Sequence, residues 1–122
     1  MELIIEDEFR RRVPGYRAML FECVVSNGAT SDRQKTEMAE LAAGIAERYE
    51  VADINMIPAI AATRAAYKAC GKDPNRYRPS QEQMMRRIVR GLGLYNVSAL
   101  VDAGNELSLL TGRPGGWFDD DQ

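Results

Sequence analysis

Between Arg64 and Arg90 the chain carries eight basic residues, Arg64, Lys68, Lys72, Arg76, Arg78, Arg86, Arg87 and Arg90, against Asp73 and Glu82. The segment stands at +6 in a chain whose net charge is -2, so the remaining residues are strongly acidic. A basic segment on an acidic body suits local phosphate contact better than general adhesion to polyanions. Its centre, the run from Asp73 to Ser80, adds Tyr77 and leads into an expected helix N-terminus. Guanidinium forks, an aromatic face and unpaired backbone N–H groups thereby meet in one place. Phosphate contact is one reading, with Tyr77 able to stack on an unpaired base. The other is that Arg76 and Tyr77 tie the loop to the body, and that the charges form a solvated helix face.

A second polar set, Ser98, Asp102, Asn105 and Glu106, falls on one side of a later helical stretch. Asp102 is a candidate base and Asn105 a candidate reader of a carbonyl or amide; no catalytic residue is assigned beyond these two. The structural alternative places Asp102 in a buried ion pair with Arg64 or Arg87. Gly104 permits close approach of a neighbouring segment, and Gly115 with Gly116 makes either a plain turn or the close wall of a small ligand site. The chain has no histidine, which removes Ser-His and Cys-His nucleophile activation and imidazole ligands. Cys23 and Cys70 lack ligand or redox spacing and read as packing residues. No metal-ligand or nucleotide motif is present, and no metal or cofactor is expected.

The elements that must position these groups follow from periodicity and punctuation. Glu2 to Ile5 reads as a short strand, Phe9 and Val13 share one face of a helical turn, and Pro14-Gly15 ends it. Tyr16 to Val25 is a β-compatible apolar run interrupted by Glu22, which suits a covered strand. Ser31 and Gln34 form a capping-box signature ahead of Met38, Leu41, Ala42, Ile45 and Tyr49 at helical spacing. Asp53 or Asn55 is expected to cap the next helix, with Pro58 in its first turn, Ile57, Ile60, Ala61, Ala65 and the Lys68 stem inward, and Gly71 as its stop. Ser80 and Gln83 suggest a second capping box, opening a helix with Met84 and Ile88 inward, Met85 and Val89 as further candidates for that face, and Arg86, Arg87 and Arg90 outward. After Gly91 and Gly93, Asn96 or Ser98 caps a last helix with Val97, Leu100, Val101 and Gly104 on one side. Gly112 and Pro114-Gly115-Gly116 end that helix, and Trp117-Phe118 reads as the start of a strand.

Strands first and consecutive helices after them predict an α+β domain spanning residues 1–122, its short N-terminal strands forming part of a sheet. The hydrophobic share of 45% and charged share of 28% are those of an ordinary soluble globular chain. No run approaches the roughly 18 apolar residues of a membrane span, and the acidic start lacks the basic region of a signal peptide. These features predict a cytoplasmic protein.

Arg64, Tyr67, Gly71, Asp73-Pro74, the Arg76-Tyr77-Arg78-Pro79-Ser80 run, Arg87, Gly93, Asn96, Val101-Asp102, Asn105, Ser108, Gly112, Pro114 and Phe118-Asp119 together resemble the B3/B4 domain. That domain is the tRNA-binding and editing module of the phenylalanyl-tRNA synthetase beta chain and also occurs as small free-standing proteins. The resemblance is densest over the last half of the chain and weaker before it. It implies a tRNA-binding surface over the basic segment and a pocket drawn from Asn96, Ser98, Asp102, Asn105, Ser108, Gly115, Gly116 and Asp119. Two departures stand out. The family's pocket histidine is replaced by Gly116, and the family's domain continues well past Asp119, so the resemblance implies an incomplete B3/B4-like domain.

The resemblance accordingly predicts a module that binds tRNA or its aminoacyl end without charging it. The alternatives are a hydrolase acting in trans on mischarged aminoacyl-tRNA, and a protein-interaction module that has lost RNA. The missing continuation would leave the Tyr16 to Val25 strand and the Trp117-Phe118 segment uncovered. A homodimer, or a second polypeptide supplying the other half, is the expected partner besides tRNA.

Overall fold

Ser31 adopts an extended backbone and accepts a hydrogen bond from the Gln34 N–H at 3.1 Å, which opens the longest helix of the chain, Asp32–Arg48. In the computed structural model, which describes residues 2–118, it is the second of five α-helices. α1 is Asp7–Arg12, α2 is Asp32–Arg48, α3 is Pro58–Ala69, α4 is Ser80–Val89 and α5 is Ala99–Thr111, with a 3-10 helix at Val51–Met56 between α2 and α3. No strand or sheet forms among the described residues, so the expected α+β class is corrected to an all-α architecture.

The reason lies in what a strand requires. β-compatible side chains from Tyr16 to Val25 find no partner strand among the described residues, and an isolated extended segment gains no sheet hydrogen bonds. The backbone there is irregular, and Met19, Phe21 and Val24 are exposed. Cys23 is exposed as well, against the expectation of a packing role, while Cys70 is half-buried. Trp117-Phe118 forms no strand either. Phe9 against Tyr16, an edge-to-face pair with centroids 4.9 Å apart, gives the N-terminal region an aromatic contact.

The core gathers Ile45 from α2, Ile54 from the 3-10 helix, Ile60 from α3, Met85 and Ile88 from α4 and Leu109 from α5. Each such side chain contributes roughly 1.5–3 kcal/mol when fully buried. α4 contacts α2, the 3-10 helix and α5, which makes it the central element. It therefore buries Gln81 and Glu82 together with Met85 and Ile88, and Met84, expected inward, is only half-buried. α3 starts at Pro58 behind Ile57, not behind Asp53 or Asn55; the Asp53 carboxylate accepts instead from the Glu50 N–H at 2.9 Å and caps the 3-10 helix. Its inward side carries Ile60, Thr63, Arg64 and Tyr67, whereas Ala61, Ala65 and Lys68 are exposed. Gly112, in the left-handed region at φ 69, ends α5 and lies against Ala59, where an added Cβ would sit 3.1 Å away.

Candidate nucleic-acid interface

Asp73 accepts from the Asn75 N–H at 2.9 Å, and the N–H groups of Arg76 and Tyr77 return to the Asp73 carbonyl at 3.2 and 2.9 Å. These turns hold the loop between α3 and α4 in one shape, with Pro74 and Pro79 buried beneath it. Pro79 takes the N-cap position of α4 and Ser80 is already helical, so the expected Ser80 capping box does not form. The hydroxyl of a residue inside the first turn cannot reach round to cap it. Lys72 Nζ and the Arg76 guanidinium sit 5.1 and 5.3 Å from the centre of the Tyr77 ring, and all three are exposed. Such cation–ring contacts hold an aromatic face and two charges together at the surface.

Beneath the loop lies a fully buried carboxylate. One Nη of Arg64 donates to both oxygens of Glu82, at 2.6 and 3.0 Å, and its other Nη donates to Asn75 Oδ1. The Arg64 side chain is 11% exposed. Arg64 is thus committed to packing α3 against α4 and to anchoring the loop. Arg86 is buried to the same degree and donates to Asn55 Oδ1 at 2.6 Å. Burial first, and then the charges of Arg78, Arg64 and Arg90, pull the Arg86 pKa below the ordinary arginine value, with Glu82 opposing. Arg87 lies 4.5 Å over the exposed Tyr95 ring and reaches the Leu92 carbonyl at 3.4 Å. Lys68, Arg78 and Arg90 are exposed, and their side chains have no ion-pair or hydrogen-bond partner among the described residues.

The basic candidates therefore divide. Arg64, Arg86 and Arg87 bind the protein's own groups, while Lys68, Arg78 and Arg90 face solvent unpaired, and Lys72 and Arg76 flank Tyr77. Arg86 and Arg87, expected to point outward, are half-buried. Tyr95 was not marked by the sequence reading. Its only signal there is an aromatic residue in a glycine-bounded loop, without any indication that Arg87 would cover it.

The second polar set is organised differently. Asp102 is fully buried and accepts from the Thr30 hydroxyl, from Asn96 Nδ2 at 3.2 Å and from the Val97 N–H at 3.0 Å. Burial alone would raise its pKa, but the bonds from Thr30, Val97 and Asn96, with Lys35 nearby, outweigh it and hold the carboxyl below the usual Asp range. The ion pair with Arg64 or Arg87 is not formed; Arg64 is taken by Glu82. Ser98 caps α5 by accepting from the Val101 N–H at 3.3 Å, as its position predicts. Asn27, 71 residues earlier, donates to Ser98 Oγ at 3.3 Å and accepts from the Leu100 N–H at 3.0 Å, and Gln34 donates to the Ala99 carbonyl at 2.8 Å. Asn27, Thr30 and Gln34 join the loop ahead of α2 to the start of α5, and no local sequence signal points to that pairing.

The pocket candidates do not converge on one cavity. Asn96 lines a cleft of about 270 Å3 with Met38, Ala39, Ala42, Gly93 and Leu94. Ser108 is buried under Gly115, whose added Cβ would stand 3.6 Å from the hydroxyl. Asn105 is half-buried on α5, a Cβ added at Gly116 would meet nothing within 4 Å, and Asp119 lies outside the described residues. The segment from Arg113 to Phe118 folds back on α5, so that the Trp117 indole lies on Gly104 in the space a side chain there would take. Of the apolar face expected on α5, Val97 and Val101 are exposed, as are Leu107 and Leu110. Glu106 is half-buried with one unpartnered oxygen, and burial, then Glu37 and Asp102, raise its pKa. Among the described residues no cluster of side chains could hold a metal ion, and no helix is long and apolar enough to cross a membrane.

The B3/4 domain family model matches residues 62–122, from the middle of α3 onward. That is half of the chain, and the chain belongs to the B3/4 domain family. No curated protein and no solved structure matches it.

Proposed function

We propose that the chain is an RNA-binding member of the B3/4 family that contacts tRNA through the end of α3, the loop from Lys72 to Pro79 and the open side of α4. The observation that carries this reading is the fate of charge in that segment. Glu82 is withdrawn from the surface and neutralised by Arg64. Lys68, Arg78 and Arg90 keep their charge unpaired in solvent, and Lys72 and Arg76 frame an exposed ring that suits an unpaired base. Membership of the family associated with the phenylalanyl-tRNA synthetase beta chain supports tRNA as the nucleic acid. The donors saturating Asp102 make it an anchor of α5, so hydrolysis of aminoacyl-tRNA by Asp102 is no part of the proposal.

The test is tRNA binding as a function of salt. About four phosphate contacts predict an affinity loss on the order of a hundredfold between 50 and 200 mM salt. Replacing Lys72 and Arg76 by Gln should weaken binding at all salts, and Tyr77→Ala should weaken binding of single-stranded RNA without changing the salt slope. Salt-independent tRNA binding, or none at low salt, overturns the reading.

A second reading has its own observation. Met19, Phe21 and Val24 in the N-terminal region and Leu107 and Leu110 on α5 are exposed apolar residues. They support association with a second copy of the chain, the homodimer being the simplest such assembly. Light scattering at tens of micromolar protein decides it: a dimer that persists in high salt supports association through apolar area, and a monomer removes it.

A further inference from the structure

Arg86 has an incomplete set of partners. One Nη donates to Asn55 Oδ1, and Glu82 Oε1 stands 3.8 Å away, too far for a hydrogen bond. Its Nε is buried and has no partner. Both oxygens of Glu82 already accept from Arg64. Residues 82, 86 and 90 are four apart and therefore share one face of α4, and Arg78, just ahead of the helix, is near enough for its charge to act on Arg86, as is Arg90. Arg64 and Arg86 thus flank the Glu82 carboxylate, and the side chains of Arg78 and Arg90, whose charges act on Arg86, have no partner among the described residues. Like charges repel most where solvent is excluded, and an oxyanion among them would relieve that repulsion. The planar guanidinium fork matches the oxygens of a phosphate group.

We propose that Arg78, Arg86 and Arg90 form a binding site for a single phosphate group, with the buried Arg86 Nε–H as its inner donor and Arg78 and Arg90 closing on it from the solvent side. The site rests on the RNA-binding reading for its source, a backbone phosphodiester, and on the geometry alone for its chemistry, which a free phosphate shares. Arg64 is excluded from it by Glu82, and Arg87 by Tyr95 and Leu92.

The experiment follows the arginine Nε–Hε signals of the full chain during titration with inorganic phosphate at constant ionic strength. Arg86 is expected to shift saturably. Arg78→Gln and Arg90→Gln, both at exposed positions, should each weaken that response about tenfold through loss of a charge-assisted contact, and Lys68→Gln by less than about twofold. In the second arm, single-stranded RNA should displace phosphate from Arg86, and each of the two arginine variants should lower the salt slope of RNA binding by about one. An Arg86 signal that never moves, or that moves in both variants as it does in the parent chain, overturns the site. RNA binding whose slope is untouched in both variants, with Arg86 unmoved by phosphate, also overturns it and leaves the RNA reading standing. Saturable phosphate binding that RNA does not compete for supports the site and names free phosphate as its source, and the RNA reading is then decided by the salt dependence of tRNA binding alone.

Discussion

Glu82 and Asp102 are both fully buried carboxylates, yet α4 and α5 hold them in opposite ways. Glu82 on α4 is met by a cation, Arg64, with a second, Arg86, 3.8 Å away, and Arg86 in turn feels the charges of Arg78 and Arg90. Asp102 on α5 is met by a hydroxyl, an amide and a backbone N–H, drawn from Thr30, Asn96 and Val97. The first arrangement leaves positive charge over and carries it outward to a surface. The second absorbs the charge in dipoles and locks three segments together. Two acidic residues of equal burial therefore mark an electrostatic centre in one region and a mechanical joint in the other.

The strongest way to break this comparison is to remove the cation. Arg64→Met strands Glu82 in the interior, and urea unfolding should show a loss of about 3–5 kcal/mol. The double variant Arg64→Met with Glu82→Met should recover most of it, because the uncompensated charge is gone. A single variant that loses less than about 1 kcal/mol would mean that Glu82 has another source of compensation.

Asp102→Asn is the counterpart on α5, and the expected loss is about 2 kcal/mol, since an amide cannot accept from all three donors. Its pH dependence gives the sharper reading. The folded pKa is depressed, so the stabilisation is fully present above the unfolded value near 4 and disappears as pH falls through the lower folded value. The variant should flatten the acid limb of the stability profile within that window. An acid limb identical to that of the parent chain would sink the assignment of Asp102 as the anchored carboxylate.

Glu106→Gln should give the smallest change, with the opposite sign. Burial, then Glu37 and Asp102, raise the Glu106 pKa, so ionising it in the folded chain carries a cost that sets in as pH rises from the unfolded value through the raised one. The glutamine variant should be more stable by about 0.5 kcal/mol at neutral pH and indistinguishable below pH ~4. A loss of stability at neutral pH would show that the Glu106 charge has a partner in solution.

Much of the helical frame was legible. Ser31 and Ser98 act as caps, Pro58 and Gly112 mark a start and a stop, and the density of cations from Arg64 to Arg90 announced the surface on which the proposal rests. The errors have specific origins. Ser80 resembles a cap, but Pro79 takes that position and draws the serine into the helix. Tyr16 to Val25 has the side chains of a strand without a backbone to pair with. On α5 the face expected to be apolar is largely open, with Val97 ahead of the helix and Val101 exposed, because the packing against α4 and α2 buries Leu109 together with Asp102 and Ser108.

Sequence alone determined where most of the helices lie, how charge is divided along the chain and which family the last half belongs to. Those properties rest on contacts closing within about four residues and on composition, both of which are local. Only the tertiary structure decided which arginines remain free. Glu82 claims Arg64 across 18 residues and Asp102 claims Thr30 across 72, and such choices depend on which helix faces come to pack together. A long polar side chain reaches whatever partner the fold brings near, so the same eight cations could have been all exposed or all consumed. The packing of α4 at the centre consumed three and left the others at the surface.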